Sequence, residues 1–198
     1  MLEAKPVSFP MATSTNLSAF EGDPIQDVTL YRSTVGALQY LTLTCHDISF
    51  TVNKLAQFMH SPKTKHWQSV KRLLRYLKQT ICFGLQIYRS RTHSLHAFLD
   101  ADWVGCRDDR RSTSGFCFFF LGAYLISWDC KKQVTMARSS IEAEYKVLAN
   151  ATAEVKWLCF LSFELGASIS TCPILRCDNI GATYLSSNPI FRACTKHI

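Results

Sequence analysis

The hydrophobic rhythm of the chain changes near residue 84. Between Tyr31 and Thr80, apolar residues recur every three or four positions in "YRSTVGALQYLTL", in "DISFTVNKLAQFMH" opening at Asp47, and after Pro62 in "KHWQSVKRLLRYLKQT". That spacing gathers them on one side of a helix and predicts three helices, a small helical subdomain. After Gly84 the runs are short and aromatic or β-branched, "LQIYR", "SLHAFLD", "GFCFFFLG" and "YLISWDC", with Gly, Ser and charged residues between them. These predict strands of a meander. The long helical segment "SSIEAEYKVLANATAEVKWLCFLSFELG" comes next, then the short strand "PILRCD" and the helix "NIGATYLSS", ended by Asn188 and Pro189. Three strands, helix, strand, helix fits a mixed α/β fold, a mixed sheet with helices packed on it. Residues 1–27 carry Pro6, Pro10, Gly22 and Pro24 among Ser and Thr with little periodicity, and are expected to be a linker or disordered edge. The expected division is therefore 1–27, 28–83 and 84–198.

Composition narrows the class of partner. A chain of 198 residues can bury a real core. Its 22 Lys and Arg against 15 Asp and Glu give +7, which favours an anionic polymer as partner and names no reaction. Nine cysteines are odd in number, irregularly spaced and often set in apolar runs, as Cys82, Cys117 and Cys159 are, and are read as reduced. The first residues hold no apolar core of signal-peptide length, so an intracellular protein is expected. The most apolar run, "FCFFFLGAYLISW", is interrupted by Gly122 and falls far short of the roughly 20 residues of a membrane span. No membrane partner is expected, and two strands around a turn suit the run better. In the third helix Trp67, Val70, Leu74 and Leu77 form one stripe and Lys71, Arg75 and Lys78 another. The basic stripe reads first as an ordinary solvated charged face, and a phosphate-contact role needs support from elsewhere.

The candidate chemistry lies in acids that ordinary roles do not absorb. Asp100 and Asp102 stand where the strand "SLHAFLD" should stop. Glu142 forms Ser-x-x-Glu with Ser139, a capping box that accounts for it structurally. Glu144 instead heads the stripe Leu148, Ala151, Val155, Leu158, the face the helix should press on the sheet. An unpaired charge buried there costs several kcal/mol, more than the roughly 0.3–1 kcal/mol a helix dipole returns, so it requires a cation, a donor network or a metal. Asp178 ends "PILRCD" and is equally explained as the N-cap of the next helix. Two acids ending neighbouring strands and a third on the intervening helix would converge, and such an all-oxygen site suits Mg²⁺.

With these residues the chain resembles the end of the Pol polyprotein of plant Ty1/copia-type retrotransposons, the last part of reverse transcriptase followed by a ribonuclease H domain. The resemblance covers about Tyr31 to Ile198 and rests on "YRSTVGALQYLTLT", "DISFTVNKLAQFM", "HWQSVKRLLRYLKQT", "LDADWVGCRDDRRSTSGFCFFFLG", "ISWDCKKQ", "ARSSIEAEYKVLANATAEVKWL" and "LRCDNIGATYLSSNPIF". It implies a ribonuclease H-like fold that cuts the RNA strand of RNA/DNA hybrids with two Mg²⁺ ions, Mn²⁺ being the alternative metal. By the same resemblance Asp100, Glu144 and Asp178 are the catalytic metal ligands, while Asp102 and Glu142 stand beside them. Arg110, Arg111, Lys131, Lys132 and Arg138 near the site, with Lys71, Arg75 and Lys78 on the basic helix, are candidates to hold phosphates. The rest of a Pol polyprotein is a further expected partner. The family has a fourth acid shortly after "KHI", where this sequence stops, so impaired cleavage is expected of the isolated chain. Cys194, His46, Asp129 and Cys130 also depart from the family pattern. No Tyr-x-Asp-Asp motif occurs, and no polymerase activity is expected. A non-catalytic nucleic-acid-binding remnant is the competing expectation. A zinc set from Cys172, Cys177, Cys194 and His197 has spacings that superficially resemble ligand pairs, but it is disfavoured because two of its cysteines flank a strand instead of sharing the compact geometry of such pairs.

Overall fold

A computed structural model describes residues 4–12, 15–84, 94–120, 124–169 and 171–188. They fall into two compact units that divide between residues 86 and 87.

The first unit contains α1 (Val28–Leu41), a 3₁₀ turn at His46–Ile48 that runs into α2 (Ser49–Ala56), and α3 (Thr64–Thr80). Asp27 starts α1 by accepting the Leu30 N–H at 2.8 Å, the usual satisfaction of a free amide at a helix start. Tyr31, Val35 and Leu38 meet Ile48, Val52, Leu55, Val70 and Leu73 in one core. The Tyr31 hydroxyl, fully buried, donates to the Leu55 carbonyl at 2.9 Å, and burial pushes its ionisation well above the ordinary tyrosine range. The inner stripe of α3 is His66, Val70 and Leu73, with Trp67, Leu74 and Leu77 only partly buried beside it. The sequence stripe was offset because a polar residue stands at its centre. His66 Nδ1 accepts the Lys63 N–H at 2.9 Å and its ring stacks on Phe58 at 4.0 Å.

The segment before α1 is a correction to the expected linker. Leu17 is 5% exposed inside the core, with Met11, Ala19 and Ile25 packed against it. Thr64 N–H donates to the Asp23 carbonyl at 2.9 Å. Pro and Gly interrupt the periodicity of this stretch, yet its scattered apolar side chains still reach the core.

The second unit is mixed α/β. Strands β1 (Leu95–Asp102), β2 (Thr113–Phe120) and β3 (Tyr124–Lys132) precede the long α4 (Ser140–Glu164), the short β4 (Ile174–Arg176) and α5 (Ile180–Ser187). The sheet order is β3-β2-β1-β4. β1 pairs antiparallel with β2 and parallel with β4, and β2 pairs antiparallel with β3. A four-stranded mixed sheet flanked by helices is consistent with the ribonuclease H-like fold that the resemblance implies. Leu95, Ala97 and Leu99 of β1 and Phe118 of β2 bury against Val147, Ala151, Val155 and Leu158 of α4, each large side chain contributing about 1.5–3 kcal/mol by leaving water. The expected strand "LQIYR" and the turn at Gly122 lie outside the described residues. The cysteines among the described residues are free thiols. Among those residues no helix is long and apolar enough to cross a membrane.

Candidate functional site

The parallel pairing of β1 with β4 sets His96, Ala97 and Phe98 level with Ile174, Leu175 and Arg176. Extended by two positions, this register brings Asp178 level with Asp100 and Cys177 level with Leu99. Side chains alternate across a strand, so Leu95, Ala97 and Leu99 point into the α4 core while Phe98 and Asp100 are exposed on the other face. Cys177 accordingly packs partly against the α4 core. Because β4 ends at Arg176, Cys177 and Asp178 are released from the sheet just where α4 passes. Glu144, 4% exposed, reaches that point from the first turns of the helix. Its Oε1 accepts the Ala101 N–H at 2.8 Å and its Oε2 lies 3.7 Å from Cys177 Sγ. One oxygen each of Glu144 and Asp178 and the sulfur of Cys177 lie within 4.8 Å of one another.

Asp100 stands outside that tight group, because alternation turns its side chain to the face away from α4. Its charge still reaches the cluster. Burial pushes the Glu144 carboxyl up from its ordinary value, the Asp100 and Asp178 charges raise it further, and the Ala101 N–H offsets part of the rise. Among the described residues no lysine or arginine forms an ion pair with Asp100, Glu144 or Asp178. Opposite Asp100 on β2 is Gly115, where an added Cβ would meet nothing closer than the Asp129 carbonyl at 4.0 Å, so space is left beside the carboxylate. The donor set is thus mostly oxygen, negatively charged and partly open to solvent, suited to a divalent cation.

The other acids have structural partners. Ser139 Oγ accepts the Glu142 N–H at 3.1 Å, but Glu142 Oε2 reaches past the cap to the Arg138 N–H at 2.7 Å, and Oε1 pairs with Lys146 at 2.6 Å. Burial alone would raise the Glu142 carboxyl, yet Lys146 and the Arg138 amide hold it below the ordinary range. Asp102 Oδ1 accepts the Thr113 N–H across the opening of the β1–β2 connection. Asn179, and not Asp178, caps α5 by accepting the Ala182 N–H at 3.1 Å. Asp178 is thereby left to the cluster.

The expected phosphate-holding residues differ in how exposed they are. Lys132 is held by Asp109 at 2.9 Å and by Cys106 Sγ at 3.0 Å, with its side chain 16% exposed. Arg111 pairs with the same Asp109 at 2.6 Å and donates to the Val134 carbonyl at 3.3 Å. Lys131 pairs with Asp129 at 2.7 Å but keeps a 75% exposed side chain. Arg110 and Arg138 are exposed. Lys131, Lys132 and Lys146 line a cleft of about 550 Å³ beside Asn150 of α4. On α3, Lys71 lies over the Trp67 ring at 5.8 Å, while Arg75 donates to the Lys5 carbonyl at 2.5 Å and Lys78 to that of Ala4 at 3.3 Å. Most of the basic stripe therefore grips the N-terminal segment. Sequence reasoning considered Cys177 only within the disfavoured zinc set and did not place it beside Glu144 and Asp178; its position next to Asp178 in "CDN" was the available signal. Cys194 and His197 of the disfavoured zinc set lie outside the described residues.

Sequence similarity shows the family. The chain belongs to the Pol polyproteins of Ty1/copia-type retrotransposons. Over all 198 residues it is 50% identical to the retrovirus-related Pol polyprotein from transposon RE2 of Arabidopsis thaliana and 50% identical to that from transposon RE1 of the same plant. It is 36% identical, again over the whole chain, to the corresponding polyprotein from transposon TNT 1-94 of Nicotiana tabacum. The chain spans 14%, 13% and 15% of the lengths of these relatives. No family model matches it. No solved structure matches it either.

Proposed function

We propose that the second unit is a ribonuclease H-type nuclease that cuts the RNA strand of RNA/DNA hybrids, within a Pol polyprotein and in an intracellular setting. The observation that carries this reading is Glu144, a buried carboxylate with no cationic side chain paired to it among the described residues, facing Asp178 and feeling the charge of Asp100. Asp100, Glu144 and Asp178 would hold Mg²⁺ or Mn²⁺, since their oxygens match the preference of those hard ions. Two such ions, when bound, would supply an activated water and charge stabilisation at the leaving oxygen, so no protein nucleophile would be needed. The chain's own part is to orient. The Ala101 N–H fixes Glu144, the parallel register levels Asp178 with Asp100, and the bare backbone at Gly115 leaves room for a strand beside Asp100. Lys131, Arg110 and Arg138 offer exposed positive charge for phosphates, and hybrid would be distinguished from duplex DNA by groove shape and 2′-hydroxyl contacts. The first unit, on this reading, is the end of the reverse transcriptase region.

The test is incubation of the purified chain with end-labelled hybrid and Mg²⁺. Nicking of the RNA strand, however slow, is expected, with loss in Asp100→Asn and Glu144→Gln. The position of Asp100 outside the tight group favours a second reading, a nucleic-acid-binding module without catalysis. Salt-sensitive binding with no nicking at any Mg²⁺ or Mn²⁺ concentration selects that reading and rejects the nuclease.

A further inference from the structure

Cys177 is the member of the cluster for which a magnesium site has no use. Its Sγ lies 3.7 Å from Glu144 Oε2 and within 4.8 Å of an Asp178 oxygen. A tetrahedral zinc site with bonds of about 2.0–2.3 Å keeps its ligand atoms within about 4 Å of each other, so the three donors need to close by only about an ångström. A second observation points the same way. Glu144 is 4% exposed, and among the described residues its Oε2 meets no N–H or O–H donor, only the weakly donating thiol. A buried carboxylate oxygen thus faces a sulfur.

We propose that Glu144, Cys177 and Asp178 form a binding site for a thiophilic divalent ion of the zinc class. Cys177 would bind as the thiolate, its proton passing to solvent as the sulfur–metal bond forms, and water would complete the coordination. Soft thiolate favours Zn²⁺ strongly over Mg²⁺, which takes oxygen. The binding stands on this geometry alone. Its regulatory consequence rests on the nuclease reading: an ion held through Cys177 occupies two of the carboxylates that Mg²⁺ needs, so zinc would displace magnesium and arrest cleavage.

The reduced, metal-free full chain is titrated with ZnCl₂ by calorimetry, alongside Cys177→Ser and Asp178→Asn. A wild-type zinc site that weakens tenfold or more in both variants is expected. In the wild type, Zn²⁺ but not Mg²⁺ should also slow alkylation of Cys177, followed by peptide mass mapping, while the exposed Cys82 reacts as before. Equal zinc affinity in wild type and Cys177→Ser, or alkylation of Cys177 indifferent to Zn²⁺, overturns the proposal. Hybrid nicking in Mg²⁺ with a failed zinc test removes the zinc site and leaves the nuclease; zinc binding without nicking does the reverse.

Discussion

A carboxylate taken out of water and only partly compensated by hydrogen bonds works against folding, and Glu144 is such a group. Its raised carboxyl means that the native state holds the proton more tightly than the unfolded state. Stability of the metal-free chain should therefore fall as pH climbs through the ordinary glutamate range toward the native value, and then level off. Glu144→Gln escapes that loss. It should melt higher than the wild type at neutral pH by an amount on the order of 1 kcal/mol, and the two should converge in acid, as read by thermal melts across pH. Asp109 has the opposite sign. Burial pushes its carboxyl up, but the hydrogen bonds from Lys132 and Arg111 outweigh that and hold it far below the ordinary range. Its contribution is present at neutral pH and is lost as pH falls through the depressed native value. Asp109→Asn should thus cost about 1 kcal/mol near pH 7, since the partners are partly exposed, with the difference shrinking in acid denaturation curves below about pH 4. Which residue caps α5 was not legible at this scale: Asp178 and Asn179 are both good capping residues, and only geometry assigns the role to Asn179.

The placing of Asp178 depends on how closely α5 approaches α4. Gly181 in the first turn of α5 has no side chain where a Cβ would stand 2.7 Å from Ile141 Cδ1 of α4. Gly181→Val should overpack that contact, costing about 1–3 kcal/mol, and should weaken divalent-ion binding by shifting Asp178 from Glu144; calorimetric ion titration beside a thermal melt checks both. The elements themselves were largely readable. Alternation in "SLHAFLD" and three- and four-residue spacing in the helices survive into β1, α1, α3 and α4, because one buried face per element imposes the period. What escaped were interactions set by partners distant in sequence. Cys177 enters the site through a parallel register only three residue pairs long, and His66 occupies the core through a backbone cap and a ring stack that no hydrophobic count detects. Leu17 was hidden by the prolines and glycines around it.

For the whole molecule the +7 charge predicts binding to RNA/DNA hybrid that weakens steeply with salt, the log–log slope falling by roughly 0.7–0.9 for each phosphate neutralised. The structure refines the share of the first unit. Arg75 and Lys78 each give one hydrogen bond, to the Lys5 and Ala4 carbonyls, and Arg72 gives one to that of Phe9. Replacing Lys71, Arg75 and Lys78 by Gln should therefore lower the slope by about one phosphate rather than three, as measured by fluorescence anisotropy over a KCl series. A drop of three would show that the N-terminal segment lets go when nucleic acid arrives.

The donors of the cluster come from places far apart along the chain: Ala101, which orients Glu144, lies 43 residues before it, and Cys177 lies 33 residues after it. No excised peptide could reproduce such a grouping. Chelation by this protein would then serve as a gauge of its own integrity, with the captured ion set free at the same denaturant midpoint at which β1 parts from α4.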